Sequence, residues 1–267
     1  MDGELWFLFA TVAVIGILAG FVHSAIGFGF GIVAISLLPF VIDARSAHVV
    51  VSISSVPMLI MAAWAYREGI EWASLKLALL GAAIFLPLGL CLFATVSLDW
   101  LVRGTGLAIL ATVLASLRNR TSHGDAPSSK GSCFAAGAAA GFLAGAVSIA
   151  GPPIAAFALK QDWSQARFKA FVTQFLLVIS IYKAGLLAAG SYVVWETAWQ
   201  TMVVAAFAIA GVQLGVMASR RISAARFKHL VAAALIVVSS LMIWQGQSDA
   251  KEESSNQNRS PVAKIDR

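Results

Sequence analysis

The chain has 267 residues, of which 59% are apolar and only 12% are charged. Soluble domains carry about 25% charged residues, and a soluble core cannot bury so many long uncharged segments in a chain of this length. The net charge of +6 arises from basic residues at the ends of apolar segments, which is typical of membrane loops and argues against nucleic-acid binding.

The predicted elements are apolar helices, so the composition predicts an all-α, polytopic transmembrane bundle in a lipid bilayer. A helix needs about 20 apolar residues to cross a membrane, and most segments approach or exceed that length. Asp2 and Glu4 precede the first segment, where a cleaved signal peptide would be basic, so we expect this segment to be retained. In chain order the segments are 5–42, 47–66, 72–96, 101–117, 132–159, 170–189, 195–219 and 227–244.

Two polar stretches divide the chain. Residues 118–130 contain Gly and Pro and predict a linker between a first transmembrane repeat, 1–117, and a second, 131–245. Residues 246–267 are polar and charged, which predicts a disordered tail.

Short matches recur in the same order in both halves, and each half opens with a glycine-interrupted segment. This pattern predicts two homologous repeats, a common arrangement in secondary transporters. The matches are Ala19-Gly20-Phe21 with Ala140-Gly141-Phe142 (121 residues apart), Ala44-Arg45 with Ala166-Arg167 (122), and Leu88-Gly89 with Leu214-Gly215 (126).

Loop charge bears on topology. With four crossings in each half, nine loop Lys and Arg residues lie on one side and four on the other; with five, the division is eleven to two, because only Arg45 and Arg103 remain opposite. This count assigns Lys169 to a loop. The positive-inside rule favours five crossings and inverted halves, whereas residues 148–160 are too short to cross as a helix. A half-depth hairpin would satisfy both, and either topology places the N-terminus outside.

Gly27, Gly29 and Gly31 interrupt the first segment. Each glycine costs a helix about 1 kcal/mol relative to alanine, so the cluster predicts a break. Opened backbone in a membrane lies where protein or a water-filled cavity surrounds it, and the N-terminus of a half-helix attracts anions. Close helix packing through small residues is the alternative explanation.

Gly151, Pro152 and Pro153 form the corresponding break in the second half. Proline suits the first turn of a helix because its missing N–H would have no partner there, so a new helix is expected to begin here. Two broken helices at corresponding positions are a sequence indication of a transport site.

Five further polar residues within the spans are candidate substrate-binding groups. His23 could bind an anion or carry a proton, or be a satisfied interior histidine. Lys183 could extend towards the interface or act as an intramembrane cation that attracts a substrate anion. Gln174 is expected on the cavity wall because burying it without a partner is costly. Ser24 and Ser148 are expected lining groups, although serines often cap their own helix.

The two breaks and the duplicated hydropathy, from about residue 6 to 245, resemble the sulfite exporter TauE/SafE family of membrane permeases. The family's motif positions match Gly27, Gly29, Gly31, Gly151, Pro152 and Pro153, although the first break reads GFGFG where many members have adjacent glycines. The resemblance implies an inner-membrane transporter of sulfite, sulfoacetate or other organosulfur anions.

The placement of the acidic residues also bears on function. All 13 Asp and Glu lie in loops, segment ends or the tail, which disfavours a cation or metal transporter. We therefore expect a small anion to cross by alternating access, with no metal or other cofactor. A membrane enzyme would need a nucleophile with its base, a metal cluster or paired carboxylates, and His23 and His48 have no such partners in the sequence. A non-transporting membrane partner and a passive anion channel also fit the sequence, as does a homo-oligomer.

Overall fold

The computed structural model describes residues 2–95, 130–161, 163–190 and 195–219, together with isolated positions as far as residue 240. Within these residues the fold is all-helical. The segment 101–117, the linker apart from Lys130, most of the segment 227–244 and the tail lie outside the described residues. The helices are α1 (Asp2–Ile26), α2 (Phe30–Leu37) with a 3-10 turn (Leu38–Phe40), α3 (Ala44–Ala65), α4 (Trp72–Thr95), α5 (Lys130–Val147), α6 (Gly151–Leu159), α7 (Gln165–Ala189) and α8 (Trp195–Ser219).

Six of the described helices are long and apolar enough to cross a bilayer, which confirms the prediction of a polytopic membrane bundle. The short helices α2 and α6 follow the two predicted breaks. The spans are Trp6–Ile26, Arg45–Ala65, Trp72–Phe93, Lys130–Val147, Gln165–Ala189 and Thr197–Ser219.

Side-chain caps fix the starts of α3 and α7. The Asp43 carboxylate accepts a hydrogen bond from the Ser46 N–H at 2.9 Å, and the Ser164 hydroxyl accepts one from the Arg167 N–H at 3.3 Å. Both are N-caps that satisfy a backbone donor left free at the helix start. The hydrogen bond from Ser46 also holds the pKa of Asp43 below its usual value. The two caps lie 121 residues apart.

Glycines allow α1 and α8 to approach each other closely. A side chain on Gly16 would overlap the backbone of Val204, and one on Gly20 would overlap the carbonyl of Ala208. Such contacts through small residues are a common means of helix association in membranes. Because the residue numbers of the two helices increase together along the contact, α1 and α8 run parallel.

The helices α4 and α5 are packed in the same way. A side chain on Gly137 would overlap the backbone of Ala78, and one on Gly141 would overlap that of Ala82. These glycines lie 121 residues after the two glycines of α1, and these alanines lie 126 residues before Val204 and Ala208. The helices α4 and α5 are therefore also parallel, with the register found between α1 and α8.

The remaining contacts fix the other helix directions. Gln174 of α7 bonds to the Ala63 carbonyl of α3, and Lys169 lies over the ring of Tyr66, so α3 and α7 are antiparallel. The loops between α3 and α4 and between α7 and α8 are too short to cross a bilayer, so each pair reverses direction. It follows that α1, α3 and α8 point one way and that α4, α5 and α7 point the other way.

Because α1 and α3 run in the same direction, the 17 residues 27–43 must return across the bundle. The same holds for residues 148–164 between α5 and α7. A helix of 17 residues spans only about 26 Å, whereas extended residues advance about 3.3 Å each. The helix breaks therefore explain how segments too short for a helical crossing can return across the bundle.

Candidate functional site

The two predicted breaks occupy equivalent places in the chain. Residues 27–29 separate α1 from α2, and residues 148–150 separate α5 from α6, 121 residues later. Gly27 and Ser148 have the positive φ angles of +101° and +59°. Glycine adopts this conformation without a Cβ clash, whereas a serine held there is strained, and such strain is concentrated at functional sites.

The two breaks contact each other in the centre of the bundle. A side chain on Gly31 would overlap the backbone carbonyl of Ser148, and a Cβ on Gly151 would lie 2.9 Å from the Cβ of Phe28. Both glycines thus allow one broken segment to lie directly against the other. Phe28 is 1% exposed and Ile149 is 4% exposed, so apolar side chains anchor both breaks.

A cavity of about 60 Å³ lies beside this contact, which is room for several water molecules. The first residues of α2 and of α6 both line it, so the positive ends of two helix dipoles face the same space. Its polar side chains are His23, Ser52, Ser55, Ser148, Ser180 and Lys183.

The two helix starts offer different numbers of donors. The first N–H groups of a helix have no partner within it, so Phe30, Gly31 and Ile32 give α2 three donors at the cavity. In α6, Pro152 and Pro153 have no N–H, which leaves Gly151 as the backbone donor of its first turn. The second half therefore depends more on side chains for hydrogen bonding.

Lys183 supplies the positive charge of the site. The residue is 3% exposed, and its Nζ donates to the Ser148 hydroxyl at 2.7 Å. That hydroxyl also lies 3.0 Å from Nδ1 of His48 and 3.3 Å from the hydroxyl of Ser52. We call these four residues the Lys183 network. It joins α7, α3 and the second break.

Two buried histidines each have one ring nitrogen without a hydrogen-bond partner among the described residues. They are Nε2 of His23 and Nε2 of His48. His48 stacks on Phe93 with ring centroids 3.9 Å apart. His23 is 1% exposed and lines the cavity. A buried imidazole nitrogen without a partner is costly unless a ligand or water pairs with it.

A second polar cluster joins α1, α3 and α7 near the first break. Lys169 is 2% exposed and donates to the Ser24 carbonyl at 2.8 Å. Tyr66 donates to the same carbonyl at 2.8 Å, and its ring faces the ammonium group at 4.9 Å. The assignment of Lys169 to a loop was therefore wrong, because α7 begins at Gln165 and carries this residue into the bundle.

An ion pair outside the bundle core reinforces this cluster. Arg167 pairs with Glu71 in the loop that follows α3 and lies 5.5 Å from the ring of Trp163. The start of α7 is thereby tied to the loop between α3 and α4. Exposed pairs of this kind contribute little stability, typically below about 1 kcal/mol.

The structure brings together only some of the predicted site residues. His23, Gly29, Gly31, Ser148, Gly151 and Lys183 line the cavity. Ser24, Gly27, Pro152, Pro153 and Gln174 do not. Gln174 instead bonds to a backbone carbonyl of α3, and the two prolines occupy the first turn of α6 as predicted.

Four of the residues in these two clusters and the cavity were not predicted from the sequence as site residues: His48, Tyr66, Lys169 and Ser180. The sequence did contain one signal for His48, because His48 and Ser52 are four residues apart and therefore share a helix face. No group of His, Cys, Asp and Glu in the described residues has the arrangement of a metal site.

Comparison with protein families matches residues 12–242 to the family described as TauE: Sulfite exporter TauE/SafE. The match covers most of the chain and confirms the resemblance drawn from the two breaks. No curated protein matches the chain, and no solved structure matches it.

Proposed function

The chain belongs to the sulfite exporter TauE/SafE family of membrane transporters, and we propose that it carries a small anion through the cavity between its two helix breaks. The substrate class is sulfite, a sulfonate or a related organic anion. Transport across the inner membrane proceeds by alternating access of this one site to the two sides.

The observation that carries the proposal is the electrostatic character of the cavity. Two helix N-termini and the amino group of Lys183 face it, and no Asp or Glu of the described part of the chain lines it. Helix N-termini bind anions through free N–H groups and the helix dipole. A buried ammonium group without a carboxylate partner favours a ligand that brings negative charge.

The size and donors of the cavity favour a small oxyanion. Its volume of about 60 Å³ leaves room for a group such as sulfite or the head of a sulfonate. Backbone N–H groups of α2, the Ser148 hydroxyl and Lys183 offer donors from different directions. Three oxygen atoms on one sulfur can accept several of these hydrogen bonds together.

The packing of the halves supports alternating access between inverted repeats. The contact of α1 with α8 has the same glycine spacing as the contact of α5 with α4, and the corresponding helices point in opposite directions. Inverted repeats move by rocking one part against another around a central site. The positive-inside rule then places the side that holds most of the loop Lys and Arg residues, Arg67 among them, in the cytoplasm and the N-terminus outside.

Proteoliposome flux tests the proposal. Labelled sulfite and small sulfonates are measured for uptake and efflux with wild type, with Gly151→Leu and with empty vesicles. We expect flux in wild type and its loss in Gly151→Leu, because the added side chain meets Phe28 at the contact between the breaks. Monodisperse elution and unchanged helix content of the variant exclude misfolding.

The alternatives give different results. No flux of any of these anions would contradict the transporter proposal and favour a non-transporting partner. Flux that never drives accumulation against a gradient would indicate a passive channel. Unchanged flux in Gly151→Leu would show that the anion crosses elsewhere.

A further inference from the structure

Lys183 carries a buried amino group whose hydrogen-bond partner among the described residues is neutral. Its nitrogen donates to the Ser148 hydroxyl at 2.7 Å, and the residue is 3% exposed. Among the described residues, neither the cavity lining nor the Lys183 network contains a carboxylate. A charge removed from water without an opposite charge is expensive.

This arrangement makes the charge on Lys183 depend on what the cavity holds. An anion in the cavity would compensate the ammonium group, whereas an empty cavity leaves it without a counter-charge. Binding of an anion and binding of a proton to the lysine nitrogen therefore favour each other, and this coupling is reciprocal by thermodynamic necessity.

The other titratable groups near Lys183 are few. His48 of α3 shares the Ser148 hydroxyl, and His23 of α1 lines the same cavity; α2 and α6 contain no titratable residue. The remaining titratable side chains of the described parts of α7 and of the helices packed on it lie at the surface or far along their helices: Tyr182, Lys76, Cys91, Lys130, Cys133, Tyr66, Arg45, Arg167 and Lys169.

We propose that Lys183 couples anion transport to protons, by taking up one proton when an anion enters the cavity and releasing it when the anion leaves. The inference rests on the proposed function and identifies the coupling ion. The proton comes from water on the side that is open when the anion binds, adds to the amine nitrogen of Lys183, and returns to water on the side where the anion departs. A monovalent anion then crosses together with one proton, so the cycle moves no net charge.

The coupling also explains transport without intramembrane carboxylates. Proton-coupled carriers commonly use Asp, Glu or His within the membrane, and the described spans place no Asp or Glu at this cavity. A lysine performs the same task with the opposite charge. It is neutral when empty and positive when loaded, which suits an anionic substrate.

The test uses methanesulfonate, because this anion does not take up protons near neutral pH and any proton that moves must be carried by the protein. Binding to the purified full chain is followed as the anion-dependent rise in the thermal unfolding midpoint over a series of pH values. Flux is followed in proteoliposomes that contain a pH-sensitive dye. We expect the apparent affinity to increase by up to about tenfold for each unit by which the pH falls, and the lumen to acidify as the anion enters.

Two substitutions separate charge from proton exchange. Lys183→Gln keeps a donor but removes the charge, and we expect methanesulfonate to bind roughly 10- to 100-fold more weakly, as for loss of a charged hydrogen bond. Lys183→Arg keeps the charge at every accessible pH, so its anion affinity should no longer vary with pH. The matched control is Lys76→Gln, the same change at an exposed position of α4, which should behave as wild type.

Each outcome decides a different claim. Wild-type methanesulfonate flux without luminal acidification, or affinity that is independent of pH, would overturn the coupling. Binding and flux that survive in Lys183→Gln would overturn the role of this residue while leaving the transporter proposal intact. If methanesulfonate neither stabilises nor crosses with wild type, the inference fails; if sulfite also fails to cross, the proposed function fails with it.

Discussion

Gly31 is the position where one added carbon atom should separate the two breaks. It is the second residue of α2, and a Cβ there would overlap the backbone carbonyl of Ser148. A backbone atom cannot move aside by changing rotamer, so Gly31→Ala must displace α2 from the second break. Gly185 of α7 is the matched control, because a Cβ at that position meets nothing within 4 Å.

Comparing the unfolding free energies of these two variants isolates the cost of the steric overlap at Gly31. Overpacking costs about 1–3 kcal/mol, whereas alanine in place of an unstrained helical glycine gains up to about 1 kcal/mol. The gain applies to both variants, so their unfolding free energies should differ by about 1–3 kcal/mol. For a chain of this size that difference shifts the unfolding midpoint by roughly 2–4 °C per kcal/mol.

Thermal unfolding in detergent and anion flux in proteoliposomes measure the two consequences. Gly31→Ala is expected to have a lower midpoint and reduced flux, whereas Gly185→Ala should equal or exceed wild type in both. If Gly31→Ala unfolds at the same temperature as Gly185→Ala and retains full flux, the direct contact between the breaks is refuted.

Five further variants test the local geometry. Ser148→Ala and Ser148→Gly both remove the hydroxyl that binds the buried lysine, so both should reduce anion flux. Ser148→Gly should unfold at a higher temperature than Ser148→Ala, because glycine tolerates the positive φ. The difference in unfolding free energy between these two variants should be roughly 1 kcal/mol. Gly20→Ala and Gly141→Ala should lower the unfolding midpoint by similar amounts, since each forces apart one of two equivalent helix pairs; a large loss in one variant alone would contradict the repeat. Asp43→Ala should cost about 1 kcal/mol at neutral pH through loss of a helix cap. Because the folded-state pKa of Asp43 is lowered, the deficit should be present above the ordinary carboxyl pKa and shrink as the pH falls through the lowered value, as measured by thermal unfolding over a pH series.

The helix breaks were predictable from sequence because clustered glycines and prolines destabilise a continuous helix inside a membrane span. Three alternating glycines and a Gly-Pro-Pro run both oppose an uninterrupted helix. The tripeptides Ala19-Gly20-Phe21 and Ala140-Gly141-Phe142 lie 121 residues apart, and the two breaks are separated by the same number of residues. Local backbone chemistry fixed these features, so no tertiary information was needed.

The contents of the cavity were not predictable in the same way. Lys169 follows Arg167 closely in sequence and resembles a loop cation, yet the start of α7 turns it inward to the Ser24 carbonyl. Gln174 is polar and within a span, but its partner is the Ala63 carbonyl rather than a cavity. Which polar group faces a cavity depends on helix rotation, and rotation is set by contacts between distant segments.

The positive φ of Ser148 was equally invisible in the sequence. A serine at that position gives no signal of left-handed backbone, because glycine is the residue expected there. Only the alignment of Ser148 with Gly27, 121 residues earlier, could have indicated it. The left-handed backbone at Ser148 places the serine hydroxyl between Lys183 and His48. A glycine at this position would have no hydroxyl to offer.

The most direct test of the transport route is protection of one cavity position by the anion. Ser55 lines the cavity, so Ser55→Cys is made in a chain with Cys91→Ala and Cys133→Ala and treated with a thiosulfonate reagent that carries a sulfonate group. The control is the chain that keeps only Cys91, which is exposed on α4. We expect modification of Ser55→Cys to stop flux and sulfite or the transported sulfonate to slow the reaction, whereas the control should react equally with and without anion. Equal reaction rates at Ser55→Cys with and without anion, together with flux that survives modification, would contradict passage of the anion through this cavity.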